Sequence, residues 1–369
     1  MRVQLISKST PQSLLDDTST LDQPMPKSTE RRKGSPLVTV CIANYNGEMI
    51  LADCVDSLLN QAGAIDMEII IHDDASTDTS VDLIREKYPQ VKLITSHENV
   101  GFCIANNRMV ATAKGEFILL LNNDAALFSD AISSLVEFAT KEDGKGILTL
   151  PQYDWESEEL VDRGSVLDPF LNAVPNRSRD YHSVAYVIGA CLWTPKSLWE
   201  QIGGFPPWLE SIGEDIFLCL AARLAGFPVM VVPASGYRHR QGHSFGGNRI
   251  GDRIRTTYRR RGLSERNRLC VLLCCTPGWW VVPWTILHIT VIALEGLALC
   301  VWMRSLRPWR DIYGMALREC WSKRHLVRDV RRHVQSLRRI GLREYLRGFR
   351  PIPRKVQLLL RHGAPHLHD

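Results

Sequence analysis

The chain has 369 residues, 45% of them apolar, and a formal charge of +5, which allows a sizeable core and excludes a disordered or fibrous chain. Its ten cysteines form no Cys-x-x-Cys pair, which argues against a zinc knuckle or a disulfide scaffold and for reduced thiols in a cytosolic compartment. Charge is unevenly spread: Arg304 to Asp369 holds seventeen Lys and Arg against five Asp and Glu, so the tail calls for an anionic partner, either a membrane surface or nucleic acid.

Residues 1–35 are rich in Ser, Thr, Pro and charge and lack the apolar core of a signal peptide, which predicts a disordered leader. From Leu37 short apolar runs alternate with amphipathic segments, the pattern of an α/β domain with a largely parallel sheet. "LVTVCIAN", "MEIIIH", "VKLITS" and "EFILLL" read as strands. Between them lie helices over Glu48 to Gln61, "SVDLIREKY" and "IANNRMVATA". Polar residues follow three of the strands: Asn44 and Asn46, then Asp73 and Asp74, then Asn122, Asn123 and Asp124. Carboxyl ends of strands are where open α/β sheets bind ligands.

The alternation runs to about residue 250, which bounds a catalytic domain of 36–250. A basic linker or helix follows over 251–278. Residues 279–303, "WWVVPWTILHITVIALEGLALCVWM", form a transmembrane or membrane-embedded helix with tryptophans near its ends. His288 and Glu295 within it are costly at bilayer depth unless they face protein or water. Over 304–369, Leu326, Val330, Val334 and Leu337 recur at helical spacing among arginines. Such basic amphipathic helices suit an anionic leaflet, or else pack on the same protein with a solvated arginine face.

Three clusters carry chemistry. In "IIIHDDASTDTS", Asp73 and Asp74 point opposite ways on extended chain, so one can meet a ligand while the other orders the turn, or both cap the helix after Ser80. In "LLLNNDAAL", Asp124 offers a charged oxygen and Asn122 a neutral one to a hard divalent cation, usually completed by phosphate and water; capping the next helix is the plainer use. In "GEDIFLCLAARLAGF", Glu214 and Asp215 open a helix whose macrodipole favours the anion, so Asp215 is expected to be deprotonated at neutral pH and able to act as a general base. Downstream, "YRHRQGHSFGG" offers His239 and His243 as metal or phosphate ligands.

Together, the stretches from Leu37 to Gly247 resemble the family 2 glycosyltransferases of GT-A fold: "VTVCIANYNGEMILADCVDSLLNQ", "IIIHDDASTDTS", "NVGFCIANNRMVATAKGEFILLLNNDA" and "GEDIFLCLAARLAGF" stand in the family's order. The resemblance implies that Asn44, Asn46, Asp73 and Asp74 line the donor nucleotide, with Asn122 and Asn123 beside them. It further implies that Asp124, with His239, holds Mg²⁺ or Mn²⁺ against the diphosphate, and that Asp215, assisted by Glu214, is the base. Asn122 stands where many members have a first carboxylate, and Pro206 follows "GGF" where an acidic residue is common. A single base implies direct displacement and inversion. The Gln-x-x-Arg-Trp signature of processive members is missing from the sequence, which favours transfer of one or a few sugars. "RTTYRRRGLSERNRLCVLLC" looks most like the rhamnosyltransferase-type branch, whose acceptors are growing, often lipid-linked glycans.

The expected reaction is thus inverting, metal-assisted transfer from a UDP- or dTDP-sugar to a glycan or lipid-linked saccharide at an anionic membrane surface, with the catalytic domain on the cytoplasmic face and no nucleic-acid partner. A sugar-nucleotide pyrophosphorylase would need a basic Gly-rich phosphate loop, where "ANYNGEM" has one glycine and no Lys or Arg. A nucleic-acid-binding protein should not interrupt its basic groove with a 25-residue apolar segment.

Overall fold

The apolar runs pair into a seven-stranded sheet that is parallel except around one strand. The computed structural model describes residues 36–141, 145–240, 249–250, 253–362 and 366–368. Two units divide the chain, Met1–Ser35 and Pro36–Asp369. The first, the expected leader, lies outside the described residues.

In chain order the catalytic half contains β1 (Val38–Asn44), α1 (Leu51–Leu59), β2 (Met67–Asp73), α2 (Ser80–Lys87), β3 (Lys92–Thr95), α3 (Phe102–Thr112) and β4 (Phe117–Leu121). There follow β5 (Ala125–Leu127), α4 (Ala131–Thr140), β6 (Ile147–Thr149), β7 (Gln152–Asp154), β8 (Leu160–Asp162), β9 (Ser165–Leu167) and β10 (Ala173–Pro175). The last part holds β11 (Cys191–Pro195), α5 (Lys196–Ile202), α6 (Glu214–Leu224), β12 (Val229–Val231) and β13 (Tyr237–His239). The main sheet runs β12-β6-β11-β4-β1-β2-β3. β1 pairs in parallel with β2 and β4, while β11 is antiparallel to β4 and β6.

Strands buried on both faces need continuous apolar sequence, and β4, "FILLL", is buried at every position. Because chain order reverses between β1 and β4, the crevice at their carboxyl ends is the topological switch point. It lies where Asn44 and the Asn122–Asp124 turn emerge. A second sheet, β5-β13-β7-β8, lies just beyond that rim.

The C-terminal part is woven into the same core. It comprises α7 (Tyr258–Cys275), α8 (Val281–Met303), α9 (Gly314–Ser322), α10 (Arg324–Ser336), α11 (Leu342–Tyr345) and α12 (Arg354–His362). Leu269, Cys270, Leu272, Cys275, Cys320, Val327 and Val334 share one apolar cluster with Phe217 and Leu220 of α6. Of the two readings of 251–278, linker or helix, Tyr258–Cys275 forms a helix largely in the core, because its arginines find carboxylates and carbonyls: Arg266 lies 2.8 Å from both Glu210 and Glu319. Likewise the apolar stripe of α10 is spent inside the protein, with Val327 and Val334 buried and Arg324, Arg328 and Arg332 outward.

α8 buries a narrow stripe of His288, Ile292, Gly296 and Cys300. Val282, Ile286, Leu287, Leu294, Leu297 and Val301 are exposed. Gly278–Met303 is long and apolar enough to cross a membrane. The two ionisable groups that fit poorly in a bilayer both face protein: His288 lies edge-on to Phe170, and Glu295 pairs with Arg261 at 2.6 Å and Lys355 at 2.5 Å.

Packing of α10 predicts that Val334→Asp, which buries a charge without a partner, costs about 3 kcal/mol or more. Scanning calorimetry should show a fall in Tm on the order of 10 °C. The exposed control Arg328→Ala should stay within about 0.5 kcal/mol.

Candidate active site

The three polar strand ends meet through amides. Asn44, at the end of β1, is buried; its Nδ2 donates to Asp73 Oδ2 at 3.0 Å and its Oδ1 accepts from Asn123 Nδ2 at 2.9 Å. One side chain thus ties β1 to the ends of β2 and β4. The tie needs Gly47 nearby, since a Cβ there would stand 2.1 Å from Asn44 Oδ1. Asp73 also accepts from Ser76 N at 3.0 Å and Ser76 Oγ at 2.6 Å, so it orders the turn. Asp74 accepts from Val100 N at 2.7 Å and Gly101 N at 2.9 Å, pinning the loop before α3. Both carboxylates are thus satisfied by the protein itself. Asn46 lies in an exposed turn with φ of 50°, its Oδ1 accepting from Thr77 N at 2.8 Å.

Asp124 and His239 are brought together by strand register. β5 and β13 are antiparallel with Ala125 opposite His239, so the residue just before β5 falls beside the end of β13. His239 Nε2 sits 3.0 Å from Asp124 Oδ1, and the two residues are 6% and 3% exposed. Asn122 Nδ2 reaches within 3.5 Å of the same imidazole nitrogen. The His239 Nδ1 is buried without a partner. Arg240 donates its backbone N–H to the Asp124 carbonyl, and its guanidinium stacks 3.8 Å over Trp155. Among the described residues no third His, Cys, Asp or Glu joins the pair. One carboxylate and one imidazole nonetheless fit a divalent ion whose remaining positions fall to phosphate and water. His243 lies outside the described residues.

Glu214 and Asp215 begin α6 from Gly213, whose φ is 98°. Asp215 Oδ2 accepts from Gly189 N at 3.2 Å and Oδ1 from Ile216 N at 2.8 Å. Asn122 N in turn donates to Ala190 O at 3.1 Å, so the strand-end cluster and the start of α6 share the 189–190 turn. The macrodipole does not set these carboxyls as the sequence suggests. Burial pushes Asp215 up to about 6 against the lowering effect of its backbone donors. Burial and the neighbouring Asp215 raise Glu214 well above the carboxylate range. Among the described residues its Oε2 has no hydrogen-bond partner.

Two positioning residues went unnoticed in the sequence. The loop before α6 carries Glu210 at φ 65° and Ile212 at φ 68°, and a β-branched residue there is strained. Asn267 of α7 holds it by donating to the carbonyls of Leu209, Ser211 and Ile212 at 2.8, 2.9 and 2.8 Å. Arg266 adds Trp208 O at 3.2 Å and Leu209 O at 3.1 Å. The sequence signal was "SERNR", polar residues directly before the apolar run Leu269–Cys275.

Residues 39–203 match the model of Glycosyl transferase family 2. These residues belong to that family. Beyond them, the chain is 39% identical over 190 residues to a chondroitin synthase of Pasteurella multocida, covering 50% of this chain and 19% of that protein. It is 36% identical over 186 residues to a poly(ribitol-phosphate) beta-glucosyltransferase of Bacillus spizizenii, covering 49% and 28%. The chain therefore spans well under a third of the length of these relatives. Among solved structures, S. aureus TarS 1-349 in complex with UDP-GlcNAc superposes with a TM-score of 0.54 at 17% identity, over 85% of this chain and 92% of that one. GalNAc-T7 with UDP, GalNAc and Mn2+ gives 0.51 at 15%, over 66% and 48%. The fold is GT-A.

The hold of Asn267 on the loop should be visible without any substrate. Replacing Asn267 by Leu removes three hydrogen bonds at nearly constant volume. Amide hydrogen exchange over residues 208–213 is expected to quicken by about tenfold or more while β4 is unaffected.

Proposed function

We propose that the protein is an inverting, non-processive glycosyltransferase that moves one sugar from a UDP- or dTDP-sugar to a hydroxyl of a glycan or lipid-linked saccharide, in cell-surface polysaccharide or glycolipid synthesis. The observation that carries this reading is the shared rim. Asp124 with His239 lies on one side of the 189–190 turn and Asp215 on the other, joined through Asn122 N to Ala190 O and Gly189 N to Asp215. A donor laid across the switch point puts its diphosphate toward Asp124 and its anomeric carbon toward Asp215.

In this reading Asn46 and the Asn44–Asp73 cluster face the nucleoside, and Asp74 keeps the 98–101 loop in place beside it. Asp124 and His239 would hold Mg²⁺ or Mn²⁺, which when bound offsets the negative charge that grows on the leaving diphosphate. GalNAc-T7, of the same fold, was solved with Mn2+. Arg240, held over Trp155, pairs with Asp53 at 2.6 Å, and its backbone N–H fixes the Asp124 carbonyl. Asp215 accepts the proton of the acceptor hydroxyl as that oxygen attacks the anomeric carbon from the face opposite the diphosphate, which inverts the centre. Glu214, whose carboxyl burial and the neighbouring Asp215 push up, assists beside it. The exposed apolar side of α8 supports attachment to a membrane, with the catalytic half on the cytoplasmic face.

Asp215→Asn should lower turnover at least about a hundredfold while UDP still binds, since a general base typically contributes 10²–10⁴-fold; turnover equal to the parent removes Asp215 from the role. The base works ionised, so kcat/KM of the parent should fall as pH drops through about 6, and be flat above it until another group titrates. Asp124→Ala should weaken UDP binding in Mn²⁺ and leave it unchanged in EDTA, as read by calorimetry. Equal affinity of mutant and parent in Mn²⁺ counts against a metal at that strand end.

A further inference from the structure

Between α7, α8 and α12 lies a cavity of about 900 Å³ that the proposed chemistry does not use, at the upper end of the range for small-molecule sites. Its walls are mainly apolar, with Val291, Ile292, Ala298 and Leu299 among them. Four cationic side chains, Arg260, Arg261, Arg268 and Lys355, line it against two carboxylates, Glu265 and Glu295. Three of the cations are spoken for. Lys355 lies 2.6 Å from Glu265 and 2.5 Å from Glu295. Arg268 is 2.6 Å from Glu265 and Arg261 is 2.6 Å from Glu295.

Arg260 is different. It is half-buried, and no side-chain hydrogen bond or ion pair engages its guanidinium among the described residues; burial alone lowers its pKa. Across the same cavity His288 is 1% exposed, and neither ring nitrogen has a hydrogen-bond partner. A desolvated cation without a counter-ion and a buried imidazole without a partner are each costly unless a ligand completes them. Excess positive charge makes that ligand an anion, and the apolar walls make the rest of it hydrocarbon. Trp302, Val356 and Leu359 line the cavity and are also exposed, so it opens onto the apolar surface that α8 presents. At its other end Ile212 lines the wall, three residues before Asp215 in sequence.

We propose that this cavity seats a phosphate-bearing, single-chain lipid, its anionic head against Arg260 and its chain along the apolar wall that α8 presents. That this lipid is the carrier of the acceptor saccharide rests on the glycosyltransferase reading above.

The test is calorimetric titration of the full chain in a neutral detergent with three probes: farnesyl phosphate, farnesol and inorganic phosphate. Farnesyl phosphate is expected to bind the parent at least about tenfold more tightly than farnesol, with no measurable binding of inorganic phosphate. Arg260→Ala should weaken farnesyl phosphate by about tenfold or more, the loss expected for one hydrogen bond to a charged group, and leave farnesol unchanged. Ala298→Trp, which fills the cavity, should abolish both lipids, with a thermal scan of each variant establishing that it is folded. Equal binding of farnesol and farnesyl phosphate, unchanged affinity in Arg260→Ala, or inorganic phosphate binding as well as the lipid would each overturn the assignment. UDP titrated into the parent separates the two readings. UDP binding without farnesyl phosphate binding sinks the cavity alone, whereas the reverse sinks the donor site and leaves the cavity standing.

Discussion

Polar groups at the end of a buried strand must be met by other polar groups, and the rim of this sheet is organised around that requirement. β1, β2 and β4 are apolar almost throughout, and each ends on amides or carboxylates that water reaches poorly. Asn44 resolves three of these ends at once, because an amide offers both a donor and an acceptor: it gives to Asp73 and takes from Asn123. A carboxylate in its place would repel Asp73, and an aliphatic residue would leave two buried groups unpaired. The cluster is thereby fixed without spending Asp124, whose carboxylate is left to His239.

The same requirement separates the two carboxyls of α6. Asp215 finds backbone donors at Gly189 and Ile216, and Glu214 finds none for Oε2. Burial pushes both carboxyls up, and backbone donors offset it clearly for Asp215. The cost of holding this arrangement appears next door, in the positive φ of Glu210 and Ile212, and Asn267 offsets it from a helix far along the chain.

Much of the fold was legible because its signals are local. The strands from Val38 to Leu121 and the helices between them follow from apolar runs and 3.6-residue spacing, and the alignment of polar strand ends follows from the parallel order. Asn44, Asp73, Asn122–Asp124 and Asp215 were visible for that reason. β11 was not: its antiparallel insertion beside β4 depends on a contact between Trp193 and Leu119 that no local pattern encodes. The meeting of His239 with Asp124 was expected only through the family resemblance, since it arises from the register of two three-residue strands more than a hundred positions apart. The upward push on Glu214 and Asp215 was not legible, because a helix dipole can be read from sequence and the depth of burial cannot; at about 6 Asp215 is still ionised at neutral pH.

The basic tail shows the same limit most clearly. Seventeen Lys and Arg after residue 303 look like one electrostatic device, yet the structure gives them several tasks. Arg331 donates to the carbonyls of Leu273, Thr276 and Gly278 and so closes the end of α7. Lys355 neutralises two carboxylates beneath α8. Others, such as Arg328 and Arg332, face outward. A guanidinium can be buried where carbonyls converge on it, because five donors in a plane can satisfy several acceptors at once. Charge counted along the chain therefore overstates the charge presented to a partner. What a leaflet or an anionic ligand meets is set by the arginines that found no acceptor inside the protein, and in the cavity wall that residue is Arg260.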